Sequence, residues 1–124
     1  MDIDTQTREG VIILGLSGRV RSSDVAVLMA RLVQIKHEAE TNPDVPPRVV
    51  LDLAGLDNLP TAVVGALIEA IRSVESVGGR FALATPDRPV SVALDRLGVA
   101  QLVATFDSVD KAVAAIRVES APAG

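Results

Sequence analysis

The chain has 124 residues, 48% of them hydrophobic, with no cysteine, one histidine and a net charge of −4. That length suits a single domain that folds without a disulfide or a metal, and the missing thiols exclude disulfides, thiolate metal sites and thiol redox chemistry. The acidic balance and the near absence of aromatic rings (two Phe, no Trp or Tyr) argue against nucleic acid as a partner, no apolar run approaches the ~20 residues of a membrane span, and the polar start MDIDTQTREG is unlike a signal peptide.

The expectation is therefore a cytoplasmic protein that is not embedded in a membrane. In chain order, Ile3 to Thr7 and Val11 to Leu16 read as two antiparallel strands joined at Arg8-Glu9-Gly10, since glycine suits a hairpin turn. The first strand is short and polar, which predicts an edge. Val11 to Leu14 is continuously apolar, which predicts burial on both faces. Gly15 to Gly18 breaks the run, and Ser22 or Ser23 caps a helix whose first turn holds Asp24. Along DVAVLMARLVQIKHEAE, residues Val25, Leu28, Met29, Leu32 and Ile35 share one apolar face. Thr41 to Pro47 is a loop, because Asn42-Pro43 and Pro46-Pro47 cannot continue a helix.

Arg48 to Ala84 reads as a βαβ unit: a buried strand at Val49 to Leu53, a tight connection from Ala54 to Pro60, a helix from Thr61 to Val77 stopped by Gly78-Gly79, and a strand from Phe81 to Ala84. Thr85 to Arg88 turns the chain, and Pro89 opens a short helix with Val90, Ala93, Leu94 and Leu97 on one face and Gly98 as its stop. Gln101 to Phe106 is a last strand. Asp107-Ser108-Val109-Asp110 begins a final helix in the manner of a capping box, with Ala112, Val113 and Ile116 inward. The domain spans 1–117, and Val118 to Gly124 is a flexible tail. The order ββαβαβαβα predicts an α/β fold, a mixed and mainly parallel sheet with packed helices.

Few residues offer chemistry. Asp52 and Asp57 are a strand and a turn position that need not converge, and Asp57-Asn58 is turn chemistry. His37 alone makes a poor metal site. Gly15 to Gly18 and Gly78-Gly79 lack the spacing of a phosphate loop. Ser22 and Ser23 have no neighbouring base. No catalytic residue, metal ligand or cofactor is expected.

Four stretches together, VIILGLSGRV, VVLDLAGLDNL running into TAVVGALIEAIRSVESVGGRFALA, DRPVSVALDRLGVAQL and FDSVDKAVAAI, resemble the STAS domain, the fold of bacterial anti-sigma factor antagonists. The resemblance covers nearly the whole chain. It implies a non-enzymatic domain that binds a protein partner, an anti-sigma factor or a related kinase-type ATPase, through Asp57, Asn58, Leu59, Pro60, Thr61, Ala62 and Val63. An alternative within the family is an accessory subunit on the ATPase of a lipid-transport ABC system; a small-molecule-binding domain is a third reading.

Members that act as phosphorylation switches carry Asp-Ser/Thr-Ser-Gly where this helix begins. Aligned through Asp52-Leu53 and Gly65-Ala66-Leu67, that motif falls on Pro60-Thr61-Ala62-Val63. Ala62 stands where the phosphoacceptor belongs and has no hydroxyl. Thr61 is the remaining candidate phosphoacceptor, or else the helix N-cap. If Val64, Leu67, Ile68 and Ile71 face the sheet, Val63 and Leu59 lie near the surface, either as a contact patch or covered by neighbouring loops.

Overall fold

The structure, a computed structural model, describes residues 1–40, 46–84 and 90–117. The expected turn at Thr85 to Arg88, Pro89, the tail from Val118 and most of the loop after Glu40 lie outside the described residues. Five strands form one sheet in the order β1-β2-β3-β4-β5. They are β1 (Asp2–Arg8), β2 (Val11–Gly18), β3 (Arg48–Leu56), β4 (Arg80–Ala84) and β5 (Ala104–Phe106). The first pair is antiparallel and the rest are parallel, the mixed sheet that the alternation of periods implies. The helices are α1 (Asp24–Glu40), α2 (Thr61–Ser76), α3 (Val90–Arg96), α4 (Val99–Leu102) and α5 (Val109–Ile116).

Sequential strand order has a consequence for the helices. Parallel crossovers share one hand, so successive connections between adjacent strands pack on one face of the sheet. Leu28, Leu32 and Ile35 of α1, Leu67 and Ile71 of α2, and Val90, Leu94 and Val99 of α3 and α4 accordingly bury against Leu14, Leu51, Leu53 and Leu83 in one cluster. Helix α5 follows the last strand and takes the other face. There Ala112, Val113 and Ile116 pack on Val11, Ile13, Val50, Ala82 and Ala84. Strand β2 is thus buried on both sides, as its unbroken apolar run requires.

Several boundaries differ from the sequence reading. The hairpin closes over two residues, because Arg8 already pairs with Val11 and both Glu9 and Gly10 have positive φ, the geometry of a type I′ turn. Strand β2 runs on to Gly18 instead of ending at Leu16. Strand β3 runs three residues past Leu53, so the connection to α2 is only 57–60. Gln101 and Leu102 are helical, not extended. Gly98, with φ 77°, ends α3 in the left-handed region and restarts the chain as a single turn. Leu97, expected inward, is 38% exposed because it follows the last full turn of α3.

Candidate functional site

The candidate site lies where β2 and β3 end and α1 and α2 begin, at the carboxyl ends of the parallel strands, where open α/β sheets commonly bind ligands. Its shape starts in the sheet. Pairing of β2 with β3 slips between Gly15↔Asp52 and Ser17↔Gly55, so β3 carries one extra residue. Such a bulge bends and re-aims its strand. The Asp52 carboxylate accepts the N–H of Ala54 at 3.1 Å and satisfies a donor within the irregular stretch. Beyond it the strands draw close: a Cβ on Gly55 would stand 2.7 Å from the Ser17 Cβ, so only glycine fits.

The chain then turns through Asp57, Asn58, Leu59 and Pro60. The Asp57 N–H donates to the Gly18 carbonyl at 3.1 Å. The Asn58 side chain accepts the N–H of Val20 at 2.8 Å and donates to the Val20 carbonyl at 3.1 Å. It acts as a short stretch of β-partner and clasps the β2–α1 connection to the β3–α2 turn. Val20 itself is buried, which gives the clasp a fixed anchor. Leu59 is half-buried against the main core.

Helix α2 begins without a side-chain cap. Pro60 occupies the N-cap position, extended at φ −63° and ψ 149°, and its carbonyl accepts the N–H groups of Val63 and Val64 at 3.0 and 3.2 Å. Thr61 is therefore the first residue inside the helix. The expectation that its hydroxyl caps α2 is corrected: the chain reaches helical geometry one residue earlier than a threonine cap needs, because proline's fixed φ is compatible with that start. The Thr61 side chain is exposed, as is that of Ala62.

Val63 corrects the reading in the opposite sense. Its side chain is 1% exposed and belongs to the main core. Helix α2 packs against α1 on one flank and α4 on the other as well as on the sheet, so its buried arc is wider than a surface helix would have. The outward strip of its first turns is Thr61, Ala62 and Gly65, continuing to Glu69. Gly65 has open space where a Cβ would stand. No acidic residue lies in the first turn, so the partial positive charge of the helix start has no first-turn carboxylate to offset it.

The neighbouring wall, at the start of α1, is held by Asp24 and not by the expected serines. Its carboxylate accepts the Arg21 N–H at 2.8 Å and lies 3.4 Å from the Met1 amine. The backbone hydrogen bond from Arg21, with the nearby amine and the Arg21 charge, holds this carboxyl below the usual carboxylate range.

The remaining candidates do not converge on this rim. Asp52 lines a cleft of about 230 Å³ on the α5 side of the sheet, with Asp4, Gln6, Arg8 and Val109 among its neighbours, while Asp57 is an exposed turn residue. His37 is exposed near the far end of α1. Among the described residues no group of three or more His, Cys, Asp or Glu could hold a metal ion, and no helix is long and apolar enough to cross a membrane.

Comparison with known proteins bears on this geometry. The STAS domain family model matches residues 2–112. A Thermotoga neapolitana protein, named as a TM1081-type anti-sigma factor antagonist, is 27% identical over 66 residues, 53% of this chain and 58% of that one. The alignment thus spans a little over half of that relative's length. The solved TM1081 structure from Thermotoga maritima, also named as an anti-sigma factor antagonist, superposes with a TM-score of 0.82 at 17% identity, covering 94% of this chain and 95% of that one. The anti-sigma factor antagonist SpoIIAA in its unphosphorylated form superposes with a TM-score of 0.77 at 17% identity, covering 94% and 96% of the two chains. SpoIIAA of Bacillus is also known in a phosphorylated form.

Proposed function

The chain belongs to the STAS domain family, and from that premise we propose that it is a non-enzymatic regulatory domain that binds an anti-sigma factor or a related kinase-type ATPase through the exposed start of α2. The docking surface is the turn from Asp57 to Pro60 with Thr61, Ala62 and Gly65 of the first turns. Val63 is left out of it, since its side chain is in the core. Leu59 contributes its exposed edge.

One observation carries the reading. The helix start is exposed at Thr61 and Ala62 and clasped from behind by Asn58, and the resemblance aligns Ala62 with the family's phosphoserine. A phosphate at that place adds nearly two negative charges beside unpaired N–H donors and changes what a partner meets. Ala62 cannot take one. Binding is therefore constitutive in the unmodified protein, with Thr61 the hydroxyl at this start through which modification can act.

Affinity capture from the native lysate, with identification of what co-purifies, tests the partner class. Recovery of an anti-sigma factor or kinase-type ATPase by the wild type, lost with Ala62→Glu, is the expected result. Recovery of a transport ATPase through the same surface would replace the sigma-factor reading by the accessory-subunit one. For Thr61, incubation with cognate kinases followed by mass spectrometry is expected to place phosphate on this hydroxyl, and Thr61→Glu to weaken binding. An unmodified Thr61, together with unchanged binding of Thr61→Glu, would leave a purely constitutive surface.

A further inference from the structure

At the opposite end of the sheet, where β3 and β4 begin, two positive charges stand together. Arg48 and Arg80 open the two strands and are register partners. Side chains two apart along a strand share a face, so both arginines lie on the side of Val50 and Ala82, the side that α5 covers. Adjacent strands run about 4.8 Å apart, and like charges facing each other across a strand pair weaken a sheet.

Other arginines on this side of the sheet have partners within the chain. Arg8 pairs with Asp110 at 2.8 Å, and Arg117 with Glu9 at 3.2 Å. Arg48 and Arg80 make no side-chain hydrogen bond or ion pair among the described residues, and the Arg48 Nε is buried with its N–H unanswered. A buried donor without an acceptor is unfavourable until a partner arrives. The end of α2 beside them does not use these charges either. Its Val74 and Glu75 carbonyls accept the backbone N–H groups of Gly79 and Gly78 at 2.9 and 3.0 Å.

The group this arrangement lacks is an oxyanion. A guanidinium presents a planar fork of N–H donors that fits two oxygens of one phosphate or carboxylate. Two such forks on neighbouring strands favour a group that carries two charges and more than two acceptor oxygens, which is a phosphate. Arg80 also lines an open cleft of about 240 Å³, with Phe106 and Ile116 among its walls. An apolar body attached to the phosphate has room there. Glu75 is the carboxylate on that cleft, and it makes no ion pair with either arginine.

We propose that Arg48 and Arg80 form an anion site at the start of β3 and β4 that takes a phosphate group, free or carried by a small molecule. The site is at the far end of the sheet from the start of α2 and does not depend on the function proposed there.

The test is calorimetric titration of the full chain with inorganic phosphate and with phenyl phosphate, at an ionic strength held constant with sodium chloride. Saturable one-to-one binding is expected, weakened at least tenfold in Arg48→Gln and in Arg80→Gln. Arg96→Gln removes the same charge from an exposed position at the end of α3 and should bind as the wild type does. Arg80 is exposed, so Arg80→Gln keeps the test valid even if the half-buried Arg48 proves necessary for folding. Tighter binding of phenyl phosphate would support a carried phosphate, and equal binding the free ion. Absence of saturable binding by both probes would overturn the proposal. So would a loss in Arg80→Gln no greater than that in Arg96→Gln.

Discussion

Helices α2 and α5 each begin directly after a parallel strand, and their first turns are built differently. At α5 the Ser108 hydroxyl accepts the N–H of Lys111 at 3.1 Å, Asp110 sits in the first turn, and Lys111 pairs with Asp107 at 2.9 Å. Hydrogen bond, dipole and ion pair all lie within five consecutive residues. At α2 there is no side-chain cap and no first-turn acid. Its order comes from elsewhere: from Asn58 reaching across to Val20, from Pro60, and from Val63 packed in the core. A start stabilised by its own side chains has its donors occupied. A start stabilised from behind keeps its outer surface bare, which is the condition for a partner to read it.

This contrast can be broken by substitution. The largest effect is expected at the clasp. Asn58→Ala leaves the Val20 N–H and carbonyl without their partner in a part-buried place, and should cost about 2–3 kcal/mol by denaturant titration, since each such group costs ~1–3 kcal/mol. Asn58→Asp keeps the acceptor but not the donor and should lose less. Next comes Ser108→Ala, which removes a conventional cap and should cost about 1 kcal/mol.

A smaller loss belongs to Asp24. Its folded pKa lies below the unfolded value, so its contribution is complete above the ordinary carboxylate range and fades as pH falls through the folded pKa. The fall in stability on acidification below that range should be shallower in Asp24→Asn when the two proteins are titrated side by side. The smallest effect is at Thr61. Thr61→Ala removes no capping hydrogen bond and should stay within about 0.5 kcal/mol of the wild type, against the full cap loss at Ser108. A loss at Thr61 equal to that at Ser108 would erase the distinction between the two helix starts.

The same contrast explains what could be read from the sequence. Ser108 and the inward Ala112, Val113 and Ile116 were legible because capping and helix periodicity act within a few residues. The two-sided burial of β2 and the core face of α1 were legible for the same reason. The clasp was not, because Asn58 and Val20 are 38 positions apart and no local pattern marks such a pair. Nor was the extension of β3: a bulge interrupts the period of two on which strand reading rests, and no local pattern marks that Asp52 accepts the backbone N–H of Ala54. Val63 was misplaced because a helix flanked by neighbours buries a wider arc than amphipathic spacing assumes. The proposed position of the docking surface rests on the resemblance through Thr61 and Ala62; the Asn58 clasp behind it and the burial of Val63 emerged only from the tertiary contacts.

The central claim is that the exposed first turn of α2 is the docking surface. It is tested most directly by titrating the captured partner against the wild type, Ala62→Glu and Ala114→Glu. All three proteins should fold alike, since both alanines are exposed. The account predicts at least a hundredfold loss of affinity for Ala62→Glu and none for Ala114→Glu. Wild-type affinity in Ala62→Glu, with the fold intact, would contradict it.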